Sequence, residues 1–148
     1  HIIAIHKDNS FTVLAQQDDH DFETLNLLKE LGFKMEEKFQ NQIAKVRLGM
    51  NRKYGVLNGE SEAMDFIEHG HIGKSDFKSI LLFTDGLSLP SETPEKKKSF
   101  GTLVNLYHKL GLNGLKDYIR SMEAADPDIQ RYPRFKCHDD IAAVSINF

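Results

Sequence analysis

The stretch Ser79-Ile80-Leu81-Leu82-Phe83-Thr84-Asp85-Gly86 is apolar without interruption from Ile80 to Phe83 and ends on an Asp-Gly pair. Apolar residues that do not alternate with polar ones are the pattern of a strand covered on both faces, and Asp-Gly is a turn that stops it. Upstream, Phe66–Ile72 reads as an extended run leading into a turn at Gly73-Lys74-Ser75-Asp76, and the Gly- and Asn-punctuated Gly49–Gly59 as a loop with a short extended piece. Farther back, Phe22, Leu25, Leu28 and Leu31 recur at helical spacing, with Asp19 or Asp21 to cap the start and Gly32 to end it; a second helix is predicted from Met35 to Val46. The chain opens with two β-favouring runs, Ile2–Ile5 and Phe11–Ala15, joined by the turn formers Lys7-Asp8-Asn9-Ser10, which predicts a hairpin. Downstream, Ser88–Lys98 carries two prolines and a lysine triplet and reads as an exposed loop. Phe100–Leu110 and Gly114–Ala125 show helical apolar spacing, with Gly111 as terminator and Asn113 as cap between them, which predicts a helical hairpin. After the loop Asp126–Cys137, Ile141–Phe148 returns to β character.

The 148 residues suit one domain, and 40% hydrophobic with 28% charged residues is ordinary for a globular chain. A core of this size needs no disulfides, and Cys137 has no cysteine to pair with. A net charge of −3 excludes a nucleic-acid binder that works by bulk electrostatics. No apolar run approaches the roughly 20 residues of a membrane-spanning helix, and the first residues lack the layout of a signal peptide. Together with the unpaired cysteine, this gives a cytoplasmic expectation.

Chemistry concentrates at two strand ends. Asp85 follows the apolar strand, and Asp139 and Asp140 precede the last one. If those strands are antiparallel neighbours, the carboxylates meet at one sheet edge, where clustered oxygens suit a hard cation such as Mg²⁺ or Mn²⁺. An Asp beside a turn Gly also serves the turn itself. Asp18-Asp19-His20-Asp21 looks like a metal cluster, but adjacent residues in an extended chain point to opposite faces, so it reads better as a helix-capping turn. His69 and His71 would share a strand face as a zinc pair, without a third ligand at useful spacing. His138 is either a general acid or an exposed loop histidine. Lys96-Lys97-Lys98, with Lys74 and Lys78, either steer an acidic phosphoprotein or form a solvated surface. Arg52 either touches phosphate or pairs with an acidic neighbour.

The succession of Ser79–Ser88, a helical segment and His138-Asp139-Asp140-Ile141-Ala142-Ala143-Val144 resembles the closing half of the metal-dependent protein phosphatase 2C family. The opening hairpin and Asp19-His20 are similar to that family's stretch after its Gly-Asp-Ser element. The resemblance implies an α/β (α+β) fold of antiparallel β-sheets flanked by helices, a phosphatase 2C-like sandwich, with residues 1–148 as the C-terminal portion of a single domain. It implies metal ligation by Asp85 and Asp139, with Asp140 orienting its neighbour and Gly86 letting the backbone approach the ion. The implied reaction is hydrolysis of phosphoserine or phosphothreonine in proteins by water held between two Mn²⁺ or Mg²⁺ ions about 3.5–4 Å apart. It needs no cysteine nucleophile, and Cys137 is expected to pack near the last strand. The family's earlier motifs would lie upstream of the hairpin. The expected site is therefore only partly supplied by this chain and weak in metal alone, and the missing N-terminal half is the expected partner. Leu89 stands where relatives often carry an acid for a third ion. The alternative is a catalytically inactive, phosphatase-like binding or regulatory module.

Overall fold

A computed structural model describes residues 1–16, 19–34 and 37–148. Strands β1 (Ile2–His6) and β2 (Phe11–Ala15) form the expected hairpin. Its turn is closed by the His6 N–H on the Ser10 carbonyl at 2.9 Å and by the Asp8 carboxylate, which accepts from the Ser10 N–H and hydroxyl. β3 (Phe77–Phe83) pairs antiparallel with β1 on one side and with β4 (Ala143–Asn147) on the other, giving a sheet of order β2-β1-β3-β4. The fold is α+β, with one four-stranded antiparallel sheet among the described residues.

Helices α1 (Phe22–Glu30) and α2 (Glu37–Arg47) pack on each other, and α3 (Gly101–Ala124) supplies the core. Ile3 and Ile5 of β1 and Leu81 and Phe83 of β3 are buried together with Leu103, Val104, Leu115 and Ile119 of α3, so this helix covers one face of the sheet. The other face is different. Along it Ile80 lies opposite Ala4 and Ile146, and Leu82 opposite Ile2 and Val144, and of these Val144 is 57% and Ile146 46% exposed. β3 was expected to be covered on both faces; one is packed on α3, whereas on the other Ala4 is buried, Ile80 and Leu82 are half-buried, and the β4 members of the row are exposed.

The predicted break between two helical pieces is present at Gly111, whose φ 68° and ψ −177° make a kink within Gly101–Ala124. That conformation suits glycine and little else. Two further expectations change. Phe66–Ile72 forms no strand: Phe66 ends a 3₁₀ turn (Ser61–Phe66) and packs on Gly55, while Ile67 has extended backbone and the exposed residues after it pair with no described strand. Cys137 is exposed instead of packing near β4. Met35, the expected start of α2, lies outside the described residues, as does Asp18.

Leu81→Ala removes a fully buried side chain between β1 and α3 and is expected to cost about 2–5 kcal/mol of stability. Val144→Ala, on the open face, should change it by no more than about 0.5 kcal/mol. Denaturant titration of the two variants checks the asymmetry, and equal losses would contradict it.

Candidate metal centre

The seam between β3 and β4 continues past the last ladder pair, Phe83 with Ala143. The Thr84 N–H donates to the Ala142 carbonyl at 2.9 Å, the Ala142 N–H donates to the Thr84 hydroxyl oxygen at 3.1 Å, and that hydroxyl donates to the Asp140 carbonyl at 3.2 Å. Residues 140–142 are thus stapled to the point where β3 stops. There Asp85, Gly86 and Leu87 form a single 3₁₀ turn, with Leu87 driven into the core below it. A β-carbon on Gly86 would overlap the Asp140 carbonyl oxygen. Glycine is required here for the approach of two backbone segments, a role its sequence position did not disclose.

The consequence is convergence. Asp85, Gly86 and Asp139 line one cleft of about 540 Å³, together with Lys98, Arg134 and Lys136. Burial alone would push the Asp139 carboxyl up, but Lys136, the Asp140 N–H and Arg120 outweigh it and hold the group below the usual carboxylate range. It is therefore ionised at neutral pH. Lys136 Nζ lies 2.7 Å from Asp139 Oδ1, and the same oxygen accepts from the Asp140 N–H at 2.8 Å. Asp140 itself is exposed and contributes its carbonyl to the seam. Across the cleft stand Asp19 and Asp21. Burial, followed by the charges of Asp19 and Asp85, raises the Asp21 carboxyl, and Lys98 pairs with Asp19 at 3.4 Å. Asp19 also accepts the Asp21 N–H at 3.0 Å, so it closes the turn before α1, while Asp21 at the helix start makes no side-chain cap.

Asp139 is held from behind by a polar network. Arg120 on α3 donates through Nη1 to Glu123 Oε2 at 2.6 Å and through Nη2 to the Asp139 carbonyl at 2.5 Å. Glu123 is buried and also takes His138 Nδ1 at 2.9 Å, so that nitrogen of the candidate general acid is engaged. The loop leading to Asp139 is gathered on Asp126, whose carboxylate accepts the N–H groups of Gln130, Arg131 and Tyr132 at 2.9–3.0 Å and pairs with Arg134 at 2.8 Å. Arg134 donates further to the carbonyls of Glu123, Tyr132 and Cys137. These partners offset a carboxylate and a guanidinium taken largely out of water. Sequence reading missed the whole network, since Asp126-Pro127 looks like an ordinary loop start.

Other candidates fall away from the cleft. Lys74 and Lys78 precede or open β3, roughly 20 Å from its far end by strand rise, and Lys78 contacts Asn9. Arg52 lies in the field of Glu60 and does not line the cleft. With 67–73 not forming a strand, His69 and His71 share no strand face. Leu89, by contrast, lines the cleft while packing against the core, which accounts for an apolar residue there.

Two carboxylates from separate chain segments, one of them held ionised, fit part of the oxygen shell of a hard divalent cation. Among the described residues no group of three or more His, Cys, Asp or Glu side chains is arranged to hold an ion, so the set is partial.

Gly86→Ala should force the Asp140 carbonyl away and cost about 1–3 kcal/mol, read as a lowered unfolding midpoint. A pH series tests Asp126. Burial pushes its carboxyl up, but the Arg131 and Tyr132 N–H groups and Arg134 prevail and hold it below the ordinary range. Its contribution to stability is then full above the unfolded value of about 3.9 and drains away as pH falls through the depressed native value. The stability gap between the wild type and Asp126→Asn should therefore narrow as pH drops below about 4.

No protein-family model, curated protein or solved structure shows a significant match to this chain, and the residues of the cleft are what point to a chemistry.

Proposed function

We propose that this chain carries part of the active site of a metal-dependent phosphatase of the 2C kind, acting on phosphoserine or phosphothreonine in proteins. The observation that supports the reading is the opening of Asp85 and Asp139, 54 positions apart in sequence (139 less 85), onto one cleft at the seam of β3 and β4. The cations, Mn²⁺ or Mg²⁺, supply Lewis acidity for in-line attack of water on phosphorus. Asp85 and Asp139 hold them from this chain. Arg120 fixes the backbone of Asp139 so that its carboxylate is presented without a search of conformations. Gly86 keeps the Asp85 turn pressed against the segment that brings Asp139.

The open face of the sheet supports the companion proposal of a sandwich completed by further chain. Ile80, Leu82, Val144 and Ile146 form an apolar row that a second sheet would cover. The remaining metal ligands would come from that part. A second reading, a module without catalysis that serves as a binding or regulatory platform, draws on the partial donor set and on Leu89 being committed to the core.

Asp85→Asn in the full-length protein should lower Mn²⁺-dependent hydrolysis of a phosphoserine peptide by more than the about 10–100-fold that loss of an outer-sphere partner causes. Hydrolysis and Mn²⁺ dependence equal to the wild type would overturn the enzyme reading, and a wild type inert toward phosphopeptides at saturating Mn²⁺ would favour the platform.

A further inference from the structure

Lys136 is a cation already seated on a carboxylate that the phosphatase reading assigns to metal. Its ammonium sits 2.7 Å from Asp139 Oδ1, and both groups line the cleft with Asp85. The contact is half in water, with side-chain exposures of 57% for Lys136 and 42% for Asp139. An ion pair this exposed is weak and screened, so it is easily exchanged. The backbone on either side is not free in the same way. Arg134 grips the carbonyls of Tyr132 and Cys137, and Arg120 grips that of Asp139. Between these anchors the Lys136 side chain is more than half exposed.

We propose that Lys136 is a tethered cation that gives up the Asp139 carboxylate to a divalent ion and turns to a phosphate oxygen of the substrate. The inference rests on the phosphatase reading and deepens it by assigning a phosphate-binding residue within this chain. Three points carry it. An ammonium and a divalent ion on one carboxylate repel, so arrival of the ion expels the lysine. The displaced side chain lines the same cleft as Asp85 and Asp139, where a phosphate undergoing hydrolysis has to lie. Lysine, a point charge on a flexible stem, can change partners without the planar geometry that a guanidinium demands.

The test uses the full-length protein with Lys136→Met, whose stem fills similar space without charge. Mn²⁺ affinity, read from the free-ion resonance in paramagnetic spectroscopy, should rise about threefold to tenfold, because a competitor has been removed. Inorganic phosphate, titrated calorimetrically onto the Mn²⁺-loaded variant, should bind about tenfold more weakly than to the loaded wild type. Unchanged or weaker Mn²⁺ affinity with an unchanged melting temperature overturns the proposal, as does unchanged phosphate affinity. Asp85→Asn separates this from the underlying reading. If that variant binds Mn²⁺ as well as the wild type, the metal site itself is wrong; if it loses Mn²⁺ while Lys136→Met behaves as the wild type, the exchange alone is wrong.

Discussion

The contact between the Asp85-Gly86 turn and the Asp140 backbone is the constraint on which the cleft depends. Two segments far apart in sequence are brought to touching distance by an antiparallel ladder, and the ladder alone would not finish the job. Thr84 extends it by three hydrogen bonds involving Asp140 and Ala142, and the missing side chain of Gly86 lets the turn close on them. Any bulk at that point would splay the seam and separate the carboxylates. Leu87, immediately after, ties the turn to the same core that holds β1, β3 and α3. The placement of the candidate ligands is thereby coupled to the packing of the sheet.

Much of this was legible in the residues, for reasons that differ by element. The opening hairpin and β3 announced themselves through turn chemistry and an unbroken apolar run, both local signals. α1 showed the 3.6-residue period and a terminating Gly32, which has φ 61°. The meeting of Asp85 with the Asp139 region followed from one topological assumption, that β3 and β4 are antiparallel neighbours. What stayed hidden depends on distant partners. Phe66 closes a 3₁₀ turn against Gly55, and no period reveals that. Gly111 reads as a helix end and does interrupt the helix, but that Leu103 before it and Leu115 after it enter one core could not be read from spacing. The arginine network was equally unreadable, because its acceptors are mostly backbone carbonyls, which leave no mark in sequence.

The polar groups around Asp139 divide by environment. Glu123 and Asp126 are buried, and each is met by an arginine and by further donors. Lys98 and Lys136 pair with acids at the cleft wall, where solvent reaches both partners. The first group is architecture, costly to disrupt because removing one member strands a buried charge. The second is cheap to rearrange, which is what a surface that must receive a charged ligand requires.

β4 is an edge strand, and its outward row Val144 and Ile146 runs on to the exposed Phe148. Unpaired backbone and greasy side chains on the same margin make this the stickiest part of the molecule. It begins only a few residues after Asp139, so any strand that zips onto that margin would press on the very segment that presents the carboxylate. Self-association and ion affinity would then rise or fall together, and protein concentration becomes a variable to hold fixed whenever this chain is handled by itself.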